Sequence, residues 1–160
     1  MGAKIMASYF IEIYTKNDSY IKFTKEFREY IVLRIIKSRN VLSAHLYTPC
    51  KKQNLVQSDK NPPCLILELN CKTVAMIEMT LQLIFDREWF VLPEGYSAKH
   101  QVFDKIEYPC SGTQNPQKRH SKISYVVRYS RPILDEKKFI EFYLTHHPPI
   151  LAQMPAIKNI

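Results

Sequence analysis

Histidine and cysteine are the residue types in this sequence best suited to metal binding or nucleophilic chemistry, but their spacing supports neither. His100, Cys110 and His120 lie at intervals of ten residues in a polar stretch. Zinc ligands usually come in pairs about two to five residues apart, because a single turn can then clamp the ion. The closest pair here, His146 and His147, is adjacent in sequence. We therefore predict no metal site and no cofactor; the alternative is a site shared by Cys110, His120 and a third residue.

Sequence signatures of catalysis are also missing. The chain contains no GxSxG motif, no phosphate-binding P-loop and no glycine motif for a dinucleotide. Glu12, Glu68 and Glu78 alternate with apolar residues, which predicts that they lie on the solvated face of strands and do not form an acid–base pair. We predict that the protein is not an enzyme. An enzyme with an unrecognised Cys/His site, which would include His100, is the second alternative function.

Positive charge is the strongest bulk property of the chain. The 160 residues have a formal net charge of +8 at pH 7, and the basic excess lies in residues 1–60 and 101–160. Such a surface attracts polyanions without selecting among them, and a basic protein with no polyanion partner is an equal alternative. Nucleic-acid binding by loops 49–63 and 115–131 is therefore the first alternative function. Its predicted contact residues are Lys51, Lys52, Lys118, Arg119, Lys122, Arg128 and Arg131.

Apolar residues near the C-terminus favour a protein partner instead. Residues 148–160 are apolar but interrupted by proline, so we predict a tail without a helix of its own. The tail either packs along the domain or extends to a partner, and exposed apolar segments are typical of subunits of complexes. The predicted function is a non-enzymatic binding module that acts as a subunit of a larger complex. The predicted protein-binding residues are Ile150, Leu151, Met154 and Ile157.

The N-terminus and the cysteines bear on the compartment. The first ten residues are too short and too polar for a signal peptide, and no apolar run reaches the length of a membrane span. The four cysteines have no CxxC spacing, which favours reduced thiols. We expect an intracellular protein, nuclear or cytoplasmic, in which residues 1–7 are disordered or a cloning remnant.

Periodicity and turn residues predict the elements of the first part of the chain. Residues 8–24 are predicted to form a hairpin with its turn at 16–18. Residues 25–38 fit both helix and strand, and we favour a helix that gives way to a strand at 41–48. The proline-bracketed segment 49–63 is predicted to be a loop.

The second part of the chain is less regular. Residues 64–70 are predicted to form a strand. Residues 73–85 alternate cleanly enough to favour a strand, with a helix as the alternative. Residues 93–118 are predicted to be a long polar connection whose centre forms a short strand or a helical turn. Residues 122–130 are predicted to form an amphipathic core strand with basic ends.

The clearest helix signal covers residues 134–147. Asp135 is predicted at the N-cap or in the first turn, and Pro148 and Pro149 are predicted to end the helix. The predicted buried stripe of this helix contains Phe139, Phe142, Tyr143 and Leu144.

These elements predict the α+β class. We expect a single globular domain over residues 8–147, built from an antiparallel, β-dominated sheet with a C-terminal helix packed on it. If residues 25–38 and 73–85 are both helical, the order becomes β-α-β-β-α-β. That order is the ferredoxin-like arrangement, which is the alternative architecture.

Overall fold

A computed structural model of the chain describes residues 4–16, 20–35, 37–49, 61–84, 91–107 and 133–154. The chain divides into two compact units. One unit contains Ile5–Lys105, and the other contains Met1–Lys4 together with Ile106–Ile160. The predicted strand 122–130 lies outside the described residues.

The described chain forms four strands and three helices. The strands are β1 (Lys4–Thr15), β2 (Val41–Tyr47), β3 (Leu65–Cys71) and β4 (Tyr96–Glu107). The helices are α1 (Tyr20–Ile35), α2 (Val74–Ile84) and α3 (Glu136–Ala152). Through β4 the order is β-α-β-β-α-β, and α3 follows. None of the helices in this part of the chain is long and apolar enough to cross a membrane.

The strands make one four-stranded sheet in the order β2-β3-β1-β4. Strand β3 pairs antiparallel with both β1 and β2. The α+β class and the antiparallel sheet are therefore confirmed, and the element order is that of the ferredoxin-like alternative. The two central strands, β1 and β3, contain most of the side chains that are fully buried.

One face of the sheet is apolar and is covered by α1 and α2. Alternate residues of β1 and β3 point to it, because successive side chains of a strand lie on opposite faces. The buried core on this face contains Tyr9, Ile11 and Ile13 of β1, Leu65, Leu67 and Leu69 of β3, Phe27 and Ile31 of α1, and Ile77 and Ile84 of α2. We call this face the helix-covered face.

Helix α1 begins at Tyr20, so the predicted hairpin over 8–24 is wrong in its second half. Phe23, Phe27 and Ile31 recur every four residues, and all three pack in the core or against it. That spacing places them on one side of a helix. The helix predicted for residues 25–38 is confirmed, and so is the strand that follows at Val41–Tyr47.

Helix α2 corrects the strand preferred for residues 73–85. Its buried residues are Ile77, Thr80 and Ile84, a helical spacing in which a threonine takes a core position. The Thr80 hydroxyl donates to the Met76 carbonyl at 2.7 Å, so its polarity is satisfied inside the helix. Thr73 Oγ1 accepts a hydrogen bond from the Met76 backbone N–H, as an N-terminal cap does.

Strand β4 confirms the strand alternative for the centre of the connection predicted over 93–118, and the strand is longer than predicted. Residues Tyr96–Glu107 form a strand of 12 residues that begins after Gly95, whose φ of 82° is a left-handed value. A long strand with polar side chains is possible here because β4 lies at one edge of the sheet order.

Helix α3 begins where it was predicted but ends later. The Asp135 side chain accepts from the Lys138 backbone N–H at 3.0 Å and caps the helix. The helix continues through Pro148 and Pro149 to Ala152, so the predicted end at residue 147 and the non-helical tail from 148 are wrong. Each proline removes an N–H donor and its ring crowds the carbonyl of the residue four positions earlier, so both prolines weaken the turn of α3 that contains them.

Candidate functional site

The second face of the sheet carries a buried polar cluster. In the β1–β3 register Ser8 is opposite Asn70, and Glu12 is opposite Ile66. Each of these residues is next in sequence to a residue of the helix-covered face, so its side chain points to the opposite face of the sheet. We call this the polar face, and its polar residues are Ser8, Glu12 and Tyr14 of β1, Ser43, His45 and Tyr47 of β2, Glu68 and Asn70 of β3, and Lys105 of β4.

Glu68 lies at the centre of this cluster. It is only 4% exposed, and three side chains donate to its carboxylate. Lys105 Nζ lies 2.7 Å from Oε1, Asn70 Nδ2 lies 3.0 Å from the same oxygen, and the Tyr47 hydroxyl lies 2.5 Å from Oε2. Asn70 Nδ2 also donates to Ser43 Oγ at 3.0 Å. The cluster therefore links β2, β3 and β4 through one carboxylate.

These donors keep Glu68 charged. Burial acts to raise the pKa of Glu68, but the hydrogen bonds from Lys105, Tyr47 and Asn70 and the positive charge of Lys105 outweigh it, so the pKa is lowered. Burial, together with the hydrogen bond to Glu68 and its negative charge, raises the pKa of Tyr47. At neutral pH the carboxylate is ionised and the phenol is protonated, so neither group is ready to exchange a proton.

A second carboxylate lies beside the first. Glu12 is 2% exposed, and Oε2 accepts from the Tyr14 hydroxyl at 2.6 Å. Glu12 and Glu68 are diagonal neighbours across the β1–β3 pair, a placement that typically separates Cα atoms by about 7–8 Å. The prediction that these glutamates lie on a solvated face is therefore wrong, although Glu78, on α2, is exposed.

The residues of the predicted Cys/His site are only partly described. His100 lies on β4, and its Nδ1 is hydrogen-bonded to the Tyr9 hydroxyl at 2.5 Å. Tyr9 is on the helix-covered face, where burial raises its pKa to about 12. Cys110 and His120 lie outside the described residues, so this site stays a prediction. Among the described side chains, no group of three histidine, cysteine, aspartate or glutamate residues could hold a metal ion.

Two described cysteines are buried and free. Cys64 precedes β3, and Cys71 is its last residue. Burial raises the pKa of both thiols, and a thiol must be deprotonated to act as a nucleophile. These two cysteines are therefore core residues.

The predicted binding residues have different outcomes. The predicted nucleic-acid contacts Lys51, Lys52, Lys118, Arg119, Lys122, Arg128 and Arg131 all lie outside the described residues, so that interface stays a prediction. Of the predicted protein contacts, Ile150 and Leu151 lie in the last turns of α3 and Met154 follows it. Ile157 is outside the described residues.

Helix α3 exposes an apolar stripe. Phe142, His146, Ile150 and Met154 recur every four residues, and we call them the α3 stripe. Phe142, Ile150 and Met154 are 64%, 58% and 46% exposed. The Phe142 and His146 rings are stacked with centroids 4.4 Å apart. Phe142 was predicted to be buried, and its exposure corrects the predicted stripe.

The sequence matches no protein-family model, and no curated protein is significantly similar to it. Several solved structures are similar to the chain, and two of them are described here. A protein from Shewanella loihica PV-4 described as a putative monooxygenase is 10% identical, with a TM-score of 0.44, over 64% of this chain and 95% of that chain. A conserved protein from Methanosarcina mazei Go1 is 10% identical, with a TM-score of 0.43, over 62% and 93%. Similarity at these values carries no argument about function.

Proposed function

We propose that the protein is a non-enzymatic binding module that joins a larger complex, and that the α3 stripe inserts into an apolar groove of a protein partner. The exposure of Phe142, Ile150 and Met154 is the observation that carries this proposal. Apolar side chains at helical spacing are the anchors of helix-in-groove recognition. A contiguous patch of large exposed apolar side chains is typical of a surface that binds another protein.

The chemistry of the polar face supports a binding role over acid–base catalysis. A general acid or base works best with a pKa near the operating pH. The pKa of Glu68 is lowered and that of Tyr47 is raised, so each moves away from neutrality. A paired, hydrogen-bonded carboxylate of this kind holds a fold or a ligand in place.

The test uses the full chain and three variants. Phe142→Glu and Ile150→Glu place a charge in the stripe, whereas Lys137→Gln makes the same change in charge at an exposed position outside it. The partner is first isolated with the tagged native chain from its own cells and identified by mass spectrometry. Its affinity for each purified variant is then measured by calorimetry.

The expected result is one stoichiometric partner that binds the native chain and Lys137→Gln equally. Each stripe variant should bind the partner more than about ten-fold more weakly, because a few anchor side chains contribute most of the binding energy of an interface. Thermal unfolding should show that all variants are folded, since the changed side chains are exposed. A partner that binds both stripe variants at native affinity would contradict the proposal.

A further inference from the structure

Strand β2 lies at one end of the sheet order β2-β3-β1-β4, so among the described residues it pairs with β3 alone. None of its residues is buried, whereas six of the seven residues of β3 are. In an antiparallel sheet the backbone N–H and C=O groups of a strand point alternately to its two sides. The outer side of β2 therefore presents backbone donors and acceptors with which a further strand can pair.

The sequence of β2 offers little protection against such pairing. Charged side chains and proline are the residues that most often protect an edge strand. The strand Val41–Tyr47 contains no Lys, Arg, Asp, Glu or Pro. Strand β4, at the other end of the sheet order, carries Lys99, Asp104 and Lys105. Of the two ends of the described sheet, the β2 edge is therefore the one suited to pairing.

The regular part of β2 is centred on His45. The register with β3 shifts between Val41 and Ser43, so the ladder is continuous over residues 43–47. A two-fold axis perpendicular to the sheet reverses a strand and keeps each side chain on its own face. An axis beside His45 therefore pairs this stretch with the same stretch of a second copy in the antiparallel direction.

The side chains that meet in this arrangement suit each other. Ala44 lies opposite Leu46 of the second copy, so a small side chain meets a large one, and Ser43 lies opposite Tyr47 of the second copy. Neither pair contains a charged residue. This matters because each copy has a formal net charge of +8 and two copies repel each other overall. An uncharged edge is where they approach at the lowest electrostatic cost.

We propose that the β2 edge is a self-association surface, on which β2 pairs antiparallel with β2 of a second copy around a two-fold axis beside His45. The two four-stranded sheets then form one continuous sheet. A second copy suits this edge better than a disordered peptide does, because its strand is already formed and loses less conformational entropy on binding.

The dimer should be weak. The paired stretch of residues 43–47 is short, and it buries less than the roughly 800 Å² per partner that is typical of a stable interface. We therefore expect a Kd on the order of 10 µM. Sedimentation equilibrium of the full-length protein, at concentrations from well below to well above this value, measures the association directly.

Charges placed at Ala44 test the surface and its register. Ala44 is exposed, and in the proposed pair it is a diagonal neighbour of Ala44 of the second copy, at a typical Cα separation of about 7–8 Å. Ala44→Lys and Ala44→Glu each bring two like charges together, whereas an equimolar mixture of the two variants brings opposite charges together. The matched controls are Ala75→Lys and Ala75→Glu, which make the same changes at an exposed position of α2.

The native chain and both Ala75 variants should dimerise with similar Kd values. Each Ala44 variant alone should dimerise at least about five-fold more weakly, and the mixture should associate more tightly than either variant alone. Thermal unfolding should show that all variants are folded, because the changed side chains are exposed.

A native chain that stays monomeric at every concentration would overturn the proposal and leave the β2 edge to a strand of another protein. Ala44 variants that associate like the native chain would place the dimer contact elsewhere. Equal weakening by the Ala75 variants would show an effect of net charge alone, and a mixture no tighter than its components would contradict the register. Self-association is measured without the partner of the α3 stripe, and β2 and α3 belong to different units, so either proposal can fail alone.

Discussion

Both faces of the four-stranded sheet are buried along β1 and β3, but they are held by different forces. The helix-covered face excludes water with Ile11, Leu67 and other apolar side chains. The polar face buries Glu12 and Glu68 just as deeply and compensates their charge with hydrogen bonds and an ion pair. Alternation of apolar and polar residues along a strand therefore shows which face of the sheet is apolar and which is polar. It does not show which face is exposed to solvent.

The largest effect is expected on the helix-covered face. Leu67 is 2% exposed in the centre of the core, and Leu67→Ala removes apolar contacts and leaves a cavity. We expect the free energy of unfolding to fall by about 4 kcal/mol, measured by urea denaturation at neutral pH. A loss below about 1 kcal/mol would mean that this face is not a tightly packed core.

Breaking the ion pair tests the polar face. Lys105→Met leaves the Glu68 carboxylate buried without its counter-ion, and we expect a loss of about 3 kcal/mol. The double variant Glu68→Gln with Lys105→Met removes both charges and should recover most of that loss. If the single variant is as stable as the native chain, the pair contributes nothing and the contrast between the faces disappears.

Alkaline pH should reveal the burial of the Tyr9 phenol on the helix-covered face. The Tyr9 pKa is raised from 10.0 to about 12 by burial, so the unfolded chain ionises first and stability is lost as the pH rises from 10 towards 12. A pKa difference of this size corresponds to at most about 2.7 kcal/mol. Tyr9→Phe should lose less stability than the native chain across this window, as followed by urea denaturation at successive pH values. Equal losses in the two proteins would contradict the assignment.

The smallest effect is expected at the exposed glutamate of α2. Glu78 shares with Glu12 and Glu68 a place between apolar residues, but it lies on the outside of a helix. Glu78→Gln should change the free energy of unfolding by less than about 0.5 kcal/mol. A larger loss of unfolding free energy, measured in the same urea series, would contradict the expectation. It would show that the burial of a glutamate does not decide how much its carboxylate contributes to stability.

Much of the fold could be predicted because local patterns matched the final packing. Strand β3 follows directly from the apolar run 64–70, and helix α1 follows from the spacing of its core residues Phe27 and Ile31. Helix α2 could not be separated from a strand, because Met79 and Leu83 fit the alternation but are exposed. Thr80 is polar but occupies a buried position of α2, because its hydroxyl donates to the Met76 carbonyl inside the helix.

The candidate site could not be predicted, because its residues are distant in sequence. Glu68 and Lys105 are separated by 37 positions, and β1 lies between their strands in the sheet. Glu68 and Lys105 come together only because of the order of the strands in the sheet, and a local sequence pattern does not reveal that order. A usable signal was nevertheless present, since Glu68 and Asn70 interrupt the otherwise apolar run of a predicted buried strand.

The charge state of Glu68 tests most directly the claim that the hydrogen bonds from Lys105, Tyr47 and Asn70 keep this buried carboxylate ionised. The side-chain carboxyl carbon of Glu68 can be followed by ¹³C NMR as the pH is lowered, with exposed Glu78 as an internal reference. We expect the pKa of Glu68 in the folded protein to lie below its ordinary value of 4.5. The ionised carboxylate then contributes to stability above the pKa of Glu68 in the unfolded chain, and this contribution is lost as the pH falls through the pKa in the folded protein. A Glu68 pKa raised towards neutrality would contradict the account, because the carboxyl would then be a poised acid or base in a buried site.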